Sequence, residues 1–295
     1  MSSCRLLLVD GHAYAYRAFH AIRSLNSPSG APTNAIYGFI KMLGKMQAQV
    51  GPSHQAVVWD GGLAAERLAD LPEYKENRPP MPPDLDRQIP AIAGWLQAAG
   101  CASVVRDGVE ADDWIASLAR RAAAGGLAVV IASSDKDFLQ LVGTEIGLLN
   151  PSDQTEKIWT AADVRAKTAV GPEQIVDWLS LVGDTVDNIP GVPGVGSKTA
   201  ADLLQQFGSV DALYARLGDV KSERLRASLV AAEADVRRNQ RLIRLKDDVG
   251  GDWPLDAMRV QAPDVERLRG LYAEWGFKSL LASLPSGAAQ QGSLW

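Results

Sequence analysis

Three short apolar runs each lead into an aspartate: LLLVD at Asp10, AVVWD at Asp60 and AVVIASSD at Asp135, just past its run. A single Asp in such a place reads as a turn former or a helix N-cap. Three of them gather at one rim if the runs are parallel strands, because open α/β sheets bind ligands outside the carboxyl ends of their strands. More acids stand at matching points. GVEADDW sets Glu110, Asp112 and Asp113 at the start of an amphipathic stretch, where a helix macrodipole favours negative charge and capping accounts for one acid, not three. The run Asp135-Lys-Asp137 adds Asp137, and GDTVDN adds Asp184 and Asp187, three apart and so on one face if that turn is helical. Nine acids crowded at one rim repel strongly and become tolerable once divalent cations neutralise them. Ligation by carboxylate oxygens without His or Cys points to Mg²⁺ or Mn²⁺. The reaction suited to such a site is two-metal phosphoryl transfer, with ions roughly 3.5–4 Å apart activating water and stabilising the leaving oxygen.

Positioning these acids requires strands that alternate with helices. Strand candidates are Leu6–Asp10, Ala56–Asp60, Ala102–Val105, Ala128–Ile131 and Ile146–Leu149; between them, Thr33–Val50, Leu85–Ala99 and Ala111–Ala124 read as helices. The fold class is therefore α/β, a mainly parallel central sheet covered by helices. From about Pro172 the β-rich runs stop and the chain turns helical, ending in one long polar helix over Ser222–Leu245. The proline-rich stretch Pro72–Pro83 reads as an exposed, mobile loop. The last residues, SGAAQQGSLW, have the small polar make-up of a disordered tail but end in Leu294 and Trp295.

Composition narrows the classes. With 295 residues, 46% of them hydrophobic and 22% charged, the chain has the make-up of a globular protein of about two domains. No apolar run approaches the roughly 20 residues of a membrane span, and the opening apolar stretch is too short for a signal peptide, which implies a cytoplasmic, non-membrane protein. Cys4 and Cys101 have no partners at ligand spacing and read as buried apolar residues. The net charge of −5 speaks against a nucleic-acid partner, but without the nine acids the remainder carries +4. GVPGVGSKT, from Gly191 to Thr199, looks like a nucleotide-binding phosphate loop. Ser197 separates its last glycine from Lys198, and it follows Pro190 instead of a strand, both of which argue against an ATP site. A glycine-rich turn entering a helix at Ser197 instead offers backbone N–H groups to a DNA phosphate, or is a plain interhelical turn.

The order VDGH, VVWD, EYKENRPPMP, GVEADDWIA, ASSDKDFLQL, LVGDTVDNIPGVPGVGSKTA resembles the 5′-nuclease domain of bacterial DNA polymerase I, in the flap endonuclease family, over about Leu6–Leu284. The resemblance implies a PIN-like 5′-nuclease core over 1–171 with an arch at 61–90. A helical DNA-binding region follows over 172–284, with a helix-hairpin-helix-like motif at 188–205, and a flexible tail over 285–295. It implies a free-standing monomeric enzyme that cleaves branched, nicked, 5′-flapped or RNA-primed DNA in replication and repair. Its first metal cluster falls on Asp10, Asp60, Glu110, Asp112 and Asp135, and its second on Asp113, Asp137, Asp184 and Asp187. The ions implied are two Mg²⁺, with Mn²⁺ as substitute and K⁺ at the Gly191–Thr199 turn. In the arch, Tyr74 would stack on a base while Lys75 and Arg78 orient the scissile phosphate. Arg17, Arg67, Gly191, Gly194, Gly196, Ser197, Lys198 and Thr199 are implied as DNA contacts, and Lys198, Arg237, Arg238 and Arg241 as the grip on the duplex. Ala64, Ala65 and Glu66 depart from the family's Lys, small hydroxyl and Phe, which implies altered flap binding. Gln291, Ser293, Leu294 and Trp295 resemble a sliding-clamp-binding peptide. Two other readings stand beside this one: a catalytically weak DNA-binding or clamp-tethered adaptor, and a ribonuclease with a carboxylate core.

Overall fold

The computed structural model describes residues 5–151, 153, 155–251 and 255–285. At its centre lies a six-stranded sheet in the order β3-β2-β1-β4-β5-β6. The strands are β1 (Arg5–Asp10), β2 (His54–Trp59), β3 (Ala102–Val105), β4 (Ala128–Ala132), β5 (Ile146–Leu149) and β6 (Ile158–Trp159). All neighbours are parallel except β5 and β6. The sequence pattern does not predict the short antiparallel β6.

Leu6, Leu7, Leu8 and Val9 are all fully buried, as a parallel strand covered on both faces requires. Each such side chain contributes roughly 1.5–3 kcal/mol through burial. Side chains alternate between two cores. Leu6, Leu8, Ala56, Val58 and Ile131 join α6 (Ala111–Ala124) and the helices that follow the sheet; Leu7, Val9, Val57 and Val130 join the opposite layer.

That opposite layer contains α1 (Gly11–Ala21), α2 (Asn34–Val50) and α5 (Ile89–Ala98). The sequence pattern does not predict α1 either; it starts directly on Asp10, which caps it. Between β2 and α5 lie the short α3 (Ala65–Asp70) and α4 (Pro83–Asp86). The helix expected over Leu85–Ala99 is interrupted because Gln88 is held by a different helix. Its buried side chain accepts hydrogen bonds from the Ala35 and Ile36 amides at the start of α2 (2.8 and 3.2 Å).

After the sheet come α7 (Ala161–Thr168), α8 (Ile175–Val182), α9 (Ser197–Phe207), α10 (Val210–Ala215), α11 (Glu223–Ala231) and α12 (Glu233–Ile243). The single helix expected over Ser222–Leu245 is two, parted at Ala232. The break lets α12 turn onto α8, where the fully buried Asn239 donates to the carbonyls of Ser180 (3.1 Å) and Pro190 (2.7 Å). The last helices, α13 (Val265–Trp275) and α14 (Lys278–Ser283), leave the helical region and return to the opposite face of the sheet. Trp95 Nε1 donates to Tyr272 Oη there (3.0 Å). The helical region expected over 172–284 is thus divided between two cores. Among the described residues no helix is long and apolar enough to cross a membrane.

One backbone crossing fixes the loop that carries Asp184 and Asp187. Gly183, with φ of +81°, lies so close to Gly191 that a Cβ on Gly191 would sit 2.1 Å from the Val182 carbonyl oxygen. The loop above is closed by reciprocal backbone hydrogen bonds between Asp184 and Ile189 (2.8 and 2.7 Å). It is a tight reversal, so the condition under which the three-residue spacing would put both acids on one helical face is not met. Gly191→Ala should cost about 1–3 kcal/mol. Urea unfolding should record this as a lower midpoint with an unchanged slope, and an unchanged midpoint would refute the crossing as a constraint.

Candidate active site

The chain order reverses between β1 and β4, which opens a crevice at the carboxyl ends of these strands. Asp10 ends β1. One of its oxygens accepts from the Ala13 amide as N-cap of α1 (3.0 Å), and the other accepts from Ser133 Oγ (3.0 Å). Ser133 follows β4 and its Oγ also accepts from the Asp135 amide (3.1 Å), so one buried hydroxyl spaces two acids. Sequence reasoning misses Ser133; its signal is its place between a strand end and an acid. Asp135 in turn accepts from the Asp137 amide (2.8 Å). Asp60 follows β2, and its amide donates to His12 Nδ1 (3.2 Å), so His12 presents that nitrogen as an acceptor. Burial lowers the His12 pKa, which keeps the ring neutral against the attraction of Asp60.

Asp10, Asp60, Asp112, Asp135, Asp184 and Asp187 line one cavity of about 400 Å³, together with His12, Tyr16, Ser133, Arg78 and Lys136. Crowding shows in the acid strengths. Burial, with Asp135 and Asp60 adding repulsion, pushes the Asp10 carboxyl up to about 6 despite its two hydrogen bonds. Burial and then neighbouring carboxylates also raise Asp112, Asp135 and Asp137. Asp137 Oδ1 is buried with no hydrogen-bond partner, so a cation-shaped demand is left open behind Asp135.

Cations meet part of this demand. Arg78 donates to Asp187 (2.6 Å) and Lys136 pairs with Asp184 (3.1 Å). Lys136, flanked by two acids, is another residue that sequence reasoning passes over. Glu110 is completely buried; its carboxylate meets Lys75 and, at 2.9 Å, Arg67. Burial alone would raise Glu110, but Lys75 and Arg67 reverse this and hold it below the usual carboxylate range. Lys75 stays protonated for the converse reason: burial is outweighed by Asp112, Glu110 and Asp187. With the cations so placed, no three His, Cys, Asp or Glu among the described residues stand together as a ready-made ion cage. The donor set nonetheless fits a hard divalent ion: all oxygen, in excess of its local cations, with one oxygen unpartnered.

Several sequence expectations need correction. Asp113 does not line the cavity, and neither do Glu110 and Asp137; both oxygens of Asp113 bind Arg67 (2.9 and 2.8 Å). A helix turns roughly 100° per residue, so adjacent Asp112 and Asp113 face different ways. Arg67 is buried by the same pairing. Tyr74 and Lys75 are also buried, so this part of the expected mobile loop is packed. Tyr74 Oη meets Glu110 (3.3 Å) and Asp187 (3.4 Å). Arg17 donates to the Pro151 carbonyl and lines a separate hollow with Lys45 and Asn150. Arg237, Arg238 and Arg241 are paired with Asp211, Asp235 and Asp70, while Nε and Nη2 of Arg238 are buried without a hydrogen-bond partner. The Gly191–Thr199 turn does lead into α9 at Ser197, with Gly194, Gly196, Ser197 and Lys198 exposed. Cys101 is buried, its thiol pushed up to about 12 by burial, whereas Cys4 lies outside the described residues. Gln291, Ser293, Leu294 and Trp295 lie outside them as well.

Comparison with known proteins gives two family matches: the 5′-3′ exonuclease N-terminal resolvase-like domain over residues 5–169, and the 5′-3′ exonuclease C-terminal SAM fold over 170–266. DNA polymerase I of Pseudomonas aeruginosa is 42% identical over 99% of this chain and 32% of its own length. DNA polymerase I of Bacillus caldotenax is 37% identical, and the match covers 97% of this chain and 33% of that protein. The chain thus spans about a third of these polymerases. The 5′-3′ exonuclease of Aquifex aeolicus is 37% identical over 94% of this chain and 93% of its own. Among solved structures, a bacteriophage T5 flap endonuclease complex with DNA and metal ions superposes with a TM-score of 0.69 at 22% identity, over 94% of this chain and 96% of that one. The catalytic core of Rad2 with DNA superposes at 0.65 and 16%, over 96% and 92%.

The raised acids carry a testable cost. A carboxyl whose folded pKa exceeds its unfolded value of 3.8 destabilises the fold once it is forced to ionise, and that cost vanishes as pH falls back toward 3.8. In EDTA at about pH 7.5, Asp112→Asn should therefore melt a few degrees above the unsubstituted chain, with the gap narrowing toward about pH 4. Divalent ions should close or invert it. A pH-independent gap would refute the repulsion as its source.

Proposed function

The chain belongs to the 5′-3′ exonuclease family, and from that premise we propose that it is a structure-specific nuclease hydrolysing DNA phosphodiesters at 5′ ends and 5′ flaps. The observation that carries the reading is the single cavity lined by six carboxylates from five segments, with Arg78 and Lys136 at its edge. Asp10, Asp60, Glu110, Asp112 and Asp135 would hold one Mg²⁺, and Asp137, Asp184 and Asp187 a second, with Mn²⁺ as substitute. Ions held there would supply activation of water and stabilisation of the leaving oxygen.

The chain's own residues supply orientation and charge. Arg78 and Lys136 line the cavity with the acids, and a phosphodiester entering it would take their N–H groups in exchange for Asp187 and Asp184. Lys75, kept cationic by its surroundings, is placed to stabilise charge developing on the scissile phosphate once Glu110 no longer engages it. The exposed amides entering α9 suit a duplex phosphate away from the cut, and carbonyls of the same turn suit K⁺. Of the departures in the arch, Glu66 pairs with Lys246 and Ala64 is buried with its amide on Glu110 (3.3 Å), so neither presents a positive charge to a flap. The substrates in this reading are branched, nicked, flapped and RNA-primed DNA, in the cytoplasm.

The test is cleavage of an end-labelled double-flap DNA, sized on a sequencing gel with Mg²⁺, Mn²⁺ or EDTA. Cuts should cluster near the flap base and need the divalent ion. Asp112→Asn should abolish them and Lys75→Met should lower kcat about 10²–10³-fold. Structure-selective binding without cleavage would replace this reading with that of an adaptor.

The sliding clamp is a further partner in the proposal, engaged through Gln291, Ser293, Leu294 and Trp295. Deleting the last five residues should remove stimulation of cleavage by the clamp while leaving cleavage without it intact. A clamp response that survives the deletion would exclude the tail as its docking peptide.

A further inference from the structure

Arg67 spends every donor it has inside the protein. Nε donates to the Leu242 carbonyl (3.0 Å), Nη1 to Glu110 and Asp113 (2.9 Å each), and Nη2 to Asp113 and the Arg244 carbonyl (2.8 and 3.4 Å). A guanidinium has five N–H groups, so this arrangement satisfies all of them. Asp113 is equally committed, since its Oδ1 also accepts from the Lys246 amide (2.9 Å). Their side chains are 6% and 2% exposed, and neither lines the carboxylate cavity.

These bonds join three parts of the molecule: α3 at the base of the arch, the acid-bearing start of α6, and the carbonyls at the end of α12, where a cation is favourable. They also divide the two oxygens of Glu110. Oε1 faces Arg67 and the Ala64 amide, whereas Oε2 faces Lys75 and Tyr74. Resting on the metal-dependent reading of the cavity, we propose that Asp113 and Arg67 are positioning residues. They fix one oxygen of Glu110 and lock arch to α12, so that only the other oxygen exchanges Lys75 for an ion. Asp113 is then an ion-site acid by position in sequence but not by contact.

The experiment is a mutant cycle read by Mn²⁺ binding to the full chain, followed by Mn²⁺ spin resonance in the absence of DNA, with far-ultraviolet dichroism confirming the fold. Asp113→Asn should keep the number of bound ions and weaken their affinity about ten-fold or more, as loss of an outer partner does. In an Arg67→Met background the same substitution should add little, because the pair acts as one unit. Arg67→Met/Asp113→Leu replaces the buried pair by apolar side chains and serves where the single variants unfold. It should likewise retain the ion number at reduced affinity. Loss of one ion in Asp113→Asn, independent of Arg67, would overturn the assignment. So would an Arg67→Met variant that binds Mn²⁺ normally but flap DNA weakly in Ca²⁺. An unsubstituted chain that binds no Mn²⁺ would overturn the reading of the cavity itself.

Discussion

Mutual repulsion among carboxylates at the rim of the sheet is the constraint around which this molecule is arranged. Asp10, Asp60 and Asp135 are delivered by strands whose burial is strongly favourable, so the sheet itself forces these acids together. Each is then restrained by a hydrogen bond from its own neighbourhood: Ala13 and Ser133 on Asp10, Gly62 on Asp60, Asp137 on Asp135. These bonds fix direction more than they neutralise charge, since Asp10 and Asp135 remain weaker acids than usual. Favourable folding energy elsewhere sustains a site that is unfavourable in isolation, and a ligand of opposite charge recovers that cost on binding.

The cations follow from the same constraint. Lys75, Arg78 and Lys136 approach from outside the sheet, two from the arch and one from the segment after β4. Holding Lys75 there requires backbone strain, as its φ is +59° and its amide donates to the Asp187 carbonyl (3.0 Å). Asn188, also at positive φ, donates to the Glu73 carbonyl (2.8 Å) and accepts from Asn77 (2.7 Å). Arch and acid loop are therefore stitched together by backbone and amide groups as well as by charge. Lys75 and Arg78 thus tie the segment that carries them to Glu110 and Asp187.

What the sequence disclosed is local. Apolar runs ending in Asp, helices with i, i+3, i+4 spacing and a glycine-rich entry to a helix are all read within about ten residues, and these features mark the sheet, α2, α6 and the start of α9. What it concealed depends on partners far along the chain. Arg67 and Asp113 are 46 residues apart and Arg67 and Leu242 are 175 apart, so nothing in either segment marks them as one unit. The break at Ala232 likewise reflects where Asn239 must reach, not a poor helix former, because alanine has the best helix propensity. The return of α13 to the opposite face depends on Tyr272 meeting Trp95, again invisible locally.

The same distinction explains why adjacent acids divide by role. Asp112 and Asp113 are one residue apart on a helix that lies across the rim, so the helix period sends one toward the cavity and the other toward the interior. An unpaired carboxylate on the inner side would be strongly destabilising, and Arg67 removes that penalty with a fully satisfied guanidinium. A row of acids that looks uniform in sequence thus separates into those repelled into an open cavity, where an ion is wanted, and those already neutralised by the fold.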